Sequence, residues 1–141
     1  MPIMNYTTKI DVFKSIGEIQ SDLAKHGAKK IMQEYGDNGE PIAISFSIIT
    51  PVGERVFILP ANNEAVYKVL QKQKVKCDMS QANRVAWRIL KDWIEAQMAI
   101  LESGMVEMEQ IFLPYMANHT GQTVYQIFKE RNLMIEGSEG E

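Results

Sequence analysis

The sequence predicts an α+β fold: a three-stranded antiparallel meander packed against several helices, one of them long and central. Residues 80–103 repeat apolar side chains at steps of three and four, the spacing of one helix face. Residues 42–49 alternate between large apolar and small side chains, as a half-buried strand does. Short segments that can form further strands lie on either side of that strand, separated from it by turn sequences.

The length of 141 residues predicts one domain. We place this domain at residues 1–135. The acidic remainder, residues 136–141, has no side chains to bury, so we expect it to form a mobile tail. The apolar fraction of 45% and the charged fraction of 23% are those of an ordinary globular protein.

The first elements are a lead-in segment and a helix. Residues 3–10 are rich in β-branched and aromatic side chains, which predicts a short edge strand or an extended lead-in. Ser15 and Glu18 have the spacing of a capping box, so helix one is predicted at residues 15–26. Gly27 is placed to end that helix in the left-handed conformation.

Three strands follow, at residues 28–35, 42–49 and 55–59. The turn-forming residues 36–39 and 51–54 join them, and such short connections predict antiparallel neighbours with one buried face. In the central strand, we expect one face to carry Ile42, Ile44, Phe46 and Ile48, and the other to carry Ala43, Ser45 and Ser47.

Two helices follow the sheet. Asn62 or Asn63 is the expected cap of helix two. Asp78 or Ser80 is the expected cap of the long helix, and Gly104 its expected end. The long helix is apolar round most of its circumference, so we expect neighbours on two or three of its sides.

The long helix carries both tryptophans. Trp87 and Trp93 are six residues apart and are predicted to point to different sides of the helix. One of them is expected to cover the sheet, and the other to contact a partner or a second copy of the chain. After the helix, residues 105–116 predict a short helix or turn interrupted by Pro114, and Thr120 is the expected cap of a final short helix.

Localisation is predicted from cysteine content and hydropathy. Cys77 is the only cysteine, which excludes an intrachain disulfide and favours a reducing compartment. No apolar run approaches the roughly twenty residues that a bilayer span requires. The N-terminus also lacks a basic flank followed by an apolar stretch. We therefore expect a cytoplasmic protein with no membrane partner.

Residues with catalytic potential are few, and we expect no enzymatic activity, no cofactor and no metal site. His26 and His119 have no neighbouring His or Cys at zinc-ligand spacing. His26 is better explained as a residue at a helix C-terminus, and His119 as a loop or cap residue. Cys77 lacks any sequence mark of the base and oxyanion donors that a nucleophile needs. Asp92 and Glu95 lie four residues after Arg88 and Lys91, which predicts surface ion pairs.

The one group of residues that suggests a binding function is positively charged. Positive side chains cluster where helix two meets the long helix, and a cluster of this kind can bind phosphates of DNA or RNA, or an acidic protein surface. The alternative is an ordinary solvated charged face. The candidate contact residues are Lys68, Lys72, Lys74, Lys76, Arg84, Arg88 and Trp87.

Two resemblances bear on function. The order helix, three strands, helix over residues 15–74 resembles the double-stranded RNA-binding domain, in which lysines at the start of the second helix grip phosphates. Here that position holds residues 62–66, and the first lysine is Lys68. The runs SIGEI, LAKHGA, VAWRILKDWIEAQ, ESGM and FLPY are similar to small proteins of phages and integrative elements. That resemblance implies either an anti-defence factor, such as an anti-CRISPR inhibitor, or a recombination accessory.

The first functional hypothesis is therefore a non-enzymatic phage or mobile-element protein that inhibits a host nuclease complex by occupying one of its surfaces. The alternative is a nucleic-acid-binding accessory of replication or recombination, which predicts affinity that falls steeply with salt. An enzyme depending on Cys77 or His119 is the third hypothesis.

Overall fold

The computed structural model describes residues 1–133, so the predicted tail at 136–141 lies outside the described residues. The described part confirms the α+β class, with five α-helices and a four-stranded antiparallel sheet. In chain order the elements are α1 (Val12–Lys25), β1 (Lys30–Tyr35), β2 (Pro41–Thr50), β3 (Gly53–Pro60), α2 (Asn63–Lys72), α3 (Met79–Glu102), α4 (Met108–Phe112), a 3-10 turn (Leu113–Tyr115), β4 (Met116–Ala117) and α5 (Val124–Glu130).

The sheet has the order β1-β2-β3-β4, so the predicted meander is present with one strand added. The added strand, β4, pairs Ala117 with Val56 and Met116 with Phe57. β4 has only two residues, which are too few to show the alternation from which a strand is predicted, so the sequence did not predict it.

The beginning of α1 differs from the prediction. Asp11 is its N-cap, and its side chain accepts a hydrogen bond of 2.8 Å from the Phe13 backbone N–H. The predicted cap, Ser15, is wrong because it lies inside the helix and is fully buried. Asp and Ser are favoured about equally as N-cap residues, so Asp11 was as good a candidate for the start of this helix as Ser15. Gly27 ends the helix with φ +109°, as predicted.

The later caps are partly as predicted. Asn62 caps α2 by accepting from the Ala65 N–H, and Asp78 caps α3 by accepting from the Gln81 N–H. Gly104 follows α3 with φ +80°. Thr120 is not the cap of α5, because the helix begins three residues later. Thr123 is that cap and forms a reciprocal capping box with Gln126.

Residues 3–10 form neither a strand nor part of the sheet. They cross α2 and α3, held at one end by the Ile3 N–H, which donates to Gln73 Oε1 at 2.8 Å. Further along, Gln81 Nε2 donates to the carbonyls of Tyr6 and Thr8 at 3.0 and 2.9 Å. The lead-in therefore lies on the α2–α3 surface. It is held there by hydrogen bonds to glutamine side chains, which hydrophobic periodicity does not predict.

The main core lies between the sheet and the helices α1, α3 and α4. Ile44, Phe46 and Ile48 point into it from β2, whereas Ile42 is 42% exposed, which corrects its predicted position. Phe46 stacks on Phe57, and Phe112 meets the ring of Phe46 edge-on. A second, smaller cluster of Leu70, Ala82 and Val85 joins α2 to α3.

The long helix has neighbours on several sides, as predicted. It packs against α1 and α2, and it contributes Trp87, Ile94 and Met98 to the core beneath the sheet. Ala96, one of the residues at this apolar spacing, is exposed. Within residues 1–133, no helix combines the length and the hydropathy needed to cross a bilayer.

Candidate functional site

The four lysines of the predicted cluster all lie at the surface. Lys68 and Lys72 are on α2, four residues apart and therefore on one helix face. Lys74 and Lys76 are in the segment that joins α2 to α3, and all four side chains are exposed. The structure thus shows that the four predicted lysines are exposed to solvent.

Local packing explains why the lysines point outward. Val75 and Cys77 pack against the small cluster that holds α2 to α3. Their neighbours Lys74 and Lys76 alternate with them and so face away from that cluster. Lys74 has φ 60°, a left-handed conformation that lets the chain leave α2 directly, and the Val75 N–H bonds to the Leu70 carbonyl at 2.9 Å.

No carboxylate among residues 1–133 lies within ion-pair distance of these four lysines. The ion pairs of the described chain involve His26, Lys30, Arg88 and Lys91 instead. The four lysines therefore form no ion pair in this part of the chain, although Asp78 lines the cleft together with Lys76, and neighbouring positive charges sum to a potential that attracts anions.

Arg84 joins the lysines through a cleft of about 620 Å³ beside the α2–α3 connection. Its guanidinium donates to Gln81 Oε1 at 2.9 and 2.6 Å and to Ser80 Oγ at 3.1 Å, which fixes its orientation. Since Gln81 also binds the lead-in, one glutamine links the arginine to residues 6–8.

Two residues of this cleft were missed by sequence reasoning. Tyr6 and Lys9 line it from the lead-in, opposite Lys76 and Arg84. They are about seventy positions away from those residues in the sequence, and only the fold brings them together. We call this positive set the cationic surface; it consists of the exposed Lys9, Lys68, Lys72, Lys74 and Lys76 and the half-buried Arg84.

Two predicted contact residues do not belong to the cationic surface. The Arg88 side chain is 14% exposed, and its guanidinium pairs with Glu18 Oε2 at 3.1 Å across the α1–α3 interface. Trp87 is fully buried, and its indole Nε1–H donates to the Pro41 carbonyl at 3.3 Å. A side chain without exposed area cannot contact a partner, so the prediction for Trp87 is wrong.

The other tryptophan lines an open apolar groove. Trp93 meets Phe112 and Tyr115 edge-on, with ring centroids 5.7 and 6.0 Å apart. Together with residues of α2 and the end of β3, it borders a cavity of about 410 Å³. The expectation that one tryptophan covers the sheet is thus met by Trp87, and Trp93 is the one nearer the surface.

The predicted ion pairs on α3 are partly as expected. Lys91 pairs with Glu95 one turn later, and it also lies 3.5 Å from Glu18. Arg88 does not pair with Asp92, because Glu18 holds it. Asp92 instead accepts a hydrogen bond of 2.8 Å from the Asn5 side-chain amide.

The three residues considered for catalysis lie apart. Cys77 is half-buried beside the cleft, His119 is exposed in the turn before α5, and His26 caps the C-terminus of α1 as predicted. Within residues 1–133, no three His, Cys, Asp or Glu side chains form a group able to hold a metal ion.

His26 connects the ends of two helices. Its Nδ1–H donates to the Asp22 carbonyl at 2.7 Å, and its Nε2 lies 2.8 Å from Glu102 Oε1. The Asp22 hydrogen bond raises the pKa of His26 above 6.5; burial opposes that rise, and Glu102 adds to it. Protonated His26 donates to both partners, so the bridge between α1 and α3 is complete only in the charged form.

This bridge predicts a pH-dependent stability. A raised pKa in the folded state stabilises the fold fully below pH 6.5, and the stabilisation is lost as pH rises through the folded value. Because Glu102 is exposed, we expect a loss of only about 0.5 kcal/mol. Urea unfolding of the wild type and His26→Gln at mildly acidic and mildly alkaline pH measures it. An equal pH effect in both proteins would contradict the assignment, and Glu102→Gln is the matched partner variant.

No protein-family model, curated protein or solved structure matches this chain.

Proposed function

We propose that this protein is a non-enzymatic binding protein whose cationic surface docks on the phosphate backbone of a nucleic acid. The single observation that carries the proposal is the convergence of Lys9, Lys76 and Arg84 on one cleft, which lies beside the connection that follows the exposed lysines of α2. Ammonium and guanidinium groups bind phosphates and release condensed counterions, which favours association independently of sequence.

In this proposal, the protein belongs to a phage or integrative element and inhibits a host defence nuclease complex of the CRISPR type. This setting follows only from the resemblance that the sequence runs predict. A nuclease channel that holds nucleic acid is itself positive, so it repels a cationic surface. The contact on such a complex is therefore its guide or target nucleic acid, and occupying it blocks entry or a conformational step.

A second candidate function is an accessory of replication or recombination that binds free single strands. Tyr6 favours it, because this side chain is 36% exposed and lines the cleft beside Lys9. An aromatic ring next to phosphate-binding cations gives a base a surface on which to stack.

Affinity capture from a host lysate separates the two candidates. An inhibitor retains the components of a nuclease complex and lowers interference in cells, whereas an accessory retains nucleic acid and leaves interference unchanged. Nuclease treatment of the lysate is expected to release the retained material in both cases, since the contact is to phosphates.

The capture is repeated with a variant in which Lys68, Lys72, Lys74 and Lys76 are replaced by alanine. Its matched control loses four lysines at other positions of the surface. Lys14, Lys25, Lys29 and Lys129 are exposed and lie outside the cationic surface. Their replacement by alanine is expected to leave capture intact. Capture that survives nuclease treatment, or that survives loss of the α2 lysines, would contradict docking on phosphates.

A further inference from the structure

The edge of the sheet at β1 is open within the described residues. β1 pairs with β2 on one side only and is the first strand of the sheet. In an antiparallel ladder, alternate residues direct their N–H and C=O groups away from the neighbouring strand. The free side of β1 therefore offers a row of unpaired donors and acceptors, which is a template for pairing with another strand.

The side chains on one face of β1 are complementary to the same side chains on an antiparallel second copy of the strand. The register pairs Lys30 with Ser47, Met32 with Ser45 and Glu34 with Ala43, so the three β1 side chains share the face opposite the main core. Met32 is 60% exposed, and the Lys30 side chain is 78% exposed and lies 3.5 Å from Glu54. A positive, an apolar and a negative side chain thus follow one another along a single edge.

Antiparallel pairing of this edge with a copy of itself can centre on Ile31, Met32 or Gln33, because paired residues must share a face. Centring on Met32 places Met32 against its own copy and each Lys30 against Glu34 of the second copy. Centring on Ile31 or Gln33 sets charged side chains against Met32. Charge therefore selects the register centred on Met32. This register uses only residues 30–34, which precede the irregularity between Glu34 and Tyr35.

We propose that two copies of this chain associate through their β1 edges with a two-fold axis at Met32, joining two four-stranded sheets into one. Five paired residues bury less area than a standard protein interface, so the dimer is expected to be weak and to require a high protein concentration. The proposal is independent of the cationic surface, which contains no β1 residue.

Sedimentation of the full chain over micromolar to sub-millimolar concentrations measures this association. Glu34→Lys and Lys30→Glu each set like charges against each other at two symmetric positions, and each is expected to weaken the dimer about tenfold. The double variant restores opposite charges across the axis and is expected to recover the affinity. Thermal unfolding of each variant shows whether the monomer is intact.

A disulfide reports the register directly. In a Cys77→Ser background, Met32→Cys is expected to cross-link two copies on mild oxidation, because the two sulfurs meet at the axis. Ile49→Cys is the matched control, since Ile49 is 61% exposed on β2 and away from the β1 edge. A chain that stays monomeric at every concentration, equal cross-linking of both variants, or a double variant that fails to recover would overturn the proposal.

Discussion

Replacing Lys68, Lys72, Lys74 and Lys76 together with alanine is expected to lower the affinity for single-stranded DNA or RNA at least tenfold. All four side chains are exposed, and no carboxylate of residues 1–133 pairs with them, so their loss removes phosphate contacts without breaking an ion pair. Alanine is also a good helix former, so α2 is kept. Fluorescence anisotropy of a labelled oligonucleotide measures the change.

The control for this variant is the alanine replacement of Lys14, Lys25, Lys29 and Lys129, which changes net charge equally. If affinity depends on net charge alone, both variants weaken alike and the cationic surface has no special role. If it depends on that surface, only the first variant weakens, and Arg84→Gln weakens binding further.

Replacing Trp87 with alanine is expected to destabilise the fold by about 3–5 kcal/mol. The indole is fully buried against the sheet, and its N–H donates to the Pro41 carbonyl. Its removal leaves a cavity and also an unsatisfied carbonyl, and both lower the free energy of unfolding. Urea denaturation followed by circular dichroism measures this loss.

The matched control is Tyr125→Ala, because Tyr125 is an aromatic residue of a helix that is 50% exposed. We expect this change to lower stability by less than about 1 kcal/mol. A similar small loss for Trp87→Ala would mean that Trp87 is not a core residue. It would then return to the set of candidate contact residues.

Patterns with a local physical cause were predicted in part from the sequence. The periodicity predicted that β2 and α3 exist, but on β2 Ile42 is exposed and the face predicted to be polar, with Ala43, Ser45 and Ser47, is buried. For the caps of α2 and α3 the sequence left two candidates each, of which Asn62 and Asp78 form the caps. For α1 the sequence prediction chose the wrong cap. Ser15 was predicted, but it is buried under Arg88, and Asp11, four residues earlier, is the N-cap.

The candidate site was predictable only in part. The lysines near α2 are adjacent in sequence, so their clustering was visible. Arg84 and Arg88 lie one turn apart on α3, and only the position of Glu18 on α1 puts Arg88 in an ion pair and leaves Arg84 to the cleft. The contribution of Tyr6 and Lys9 depends on Gln81, whose amide holds the lead-in on α3. Contacts of that kind leave no periodic signal.

The choice between the tryptophans also required the fold. Both belong to an apolar helix surface, and their spacing predicts different directions without saying which direction faces solvent. The position of α3 on the sheet puts Trp87 beneath Pro41 and leaves Trp93 beside the groove.

The salt dependence of nucleic-acid binding tests the central claim most directly. With about six phosphate contacts, one for each cation of the cationic surface, the logarithm of the association constant for a single strand is expected to fall with the logarithm of salt concentration at a slope of about −4. The variant lacking Lys68, Lys72, Lys74 and Lys76 keeps Lys9 and Arg84 and is expected to show a slope of only about −1. A wild-type affinity that does not change with salt, or no binding at low salt, would contradict docking through the cationic surface.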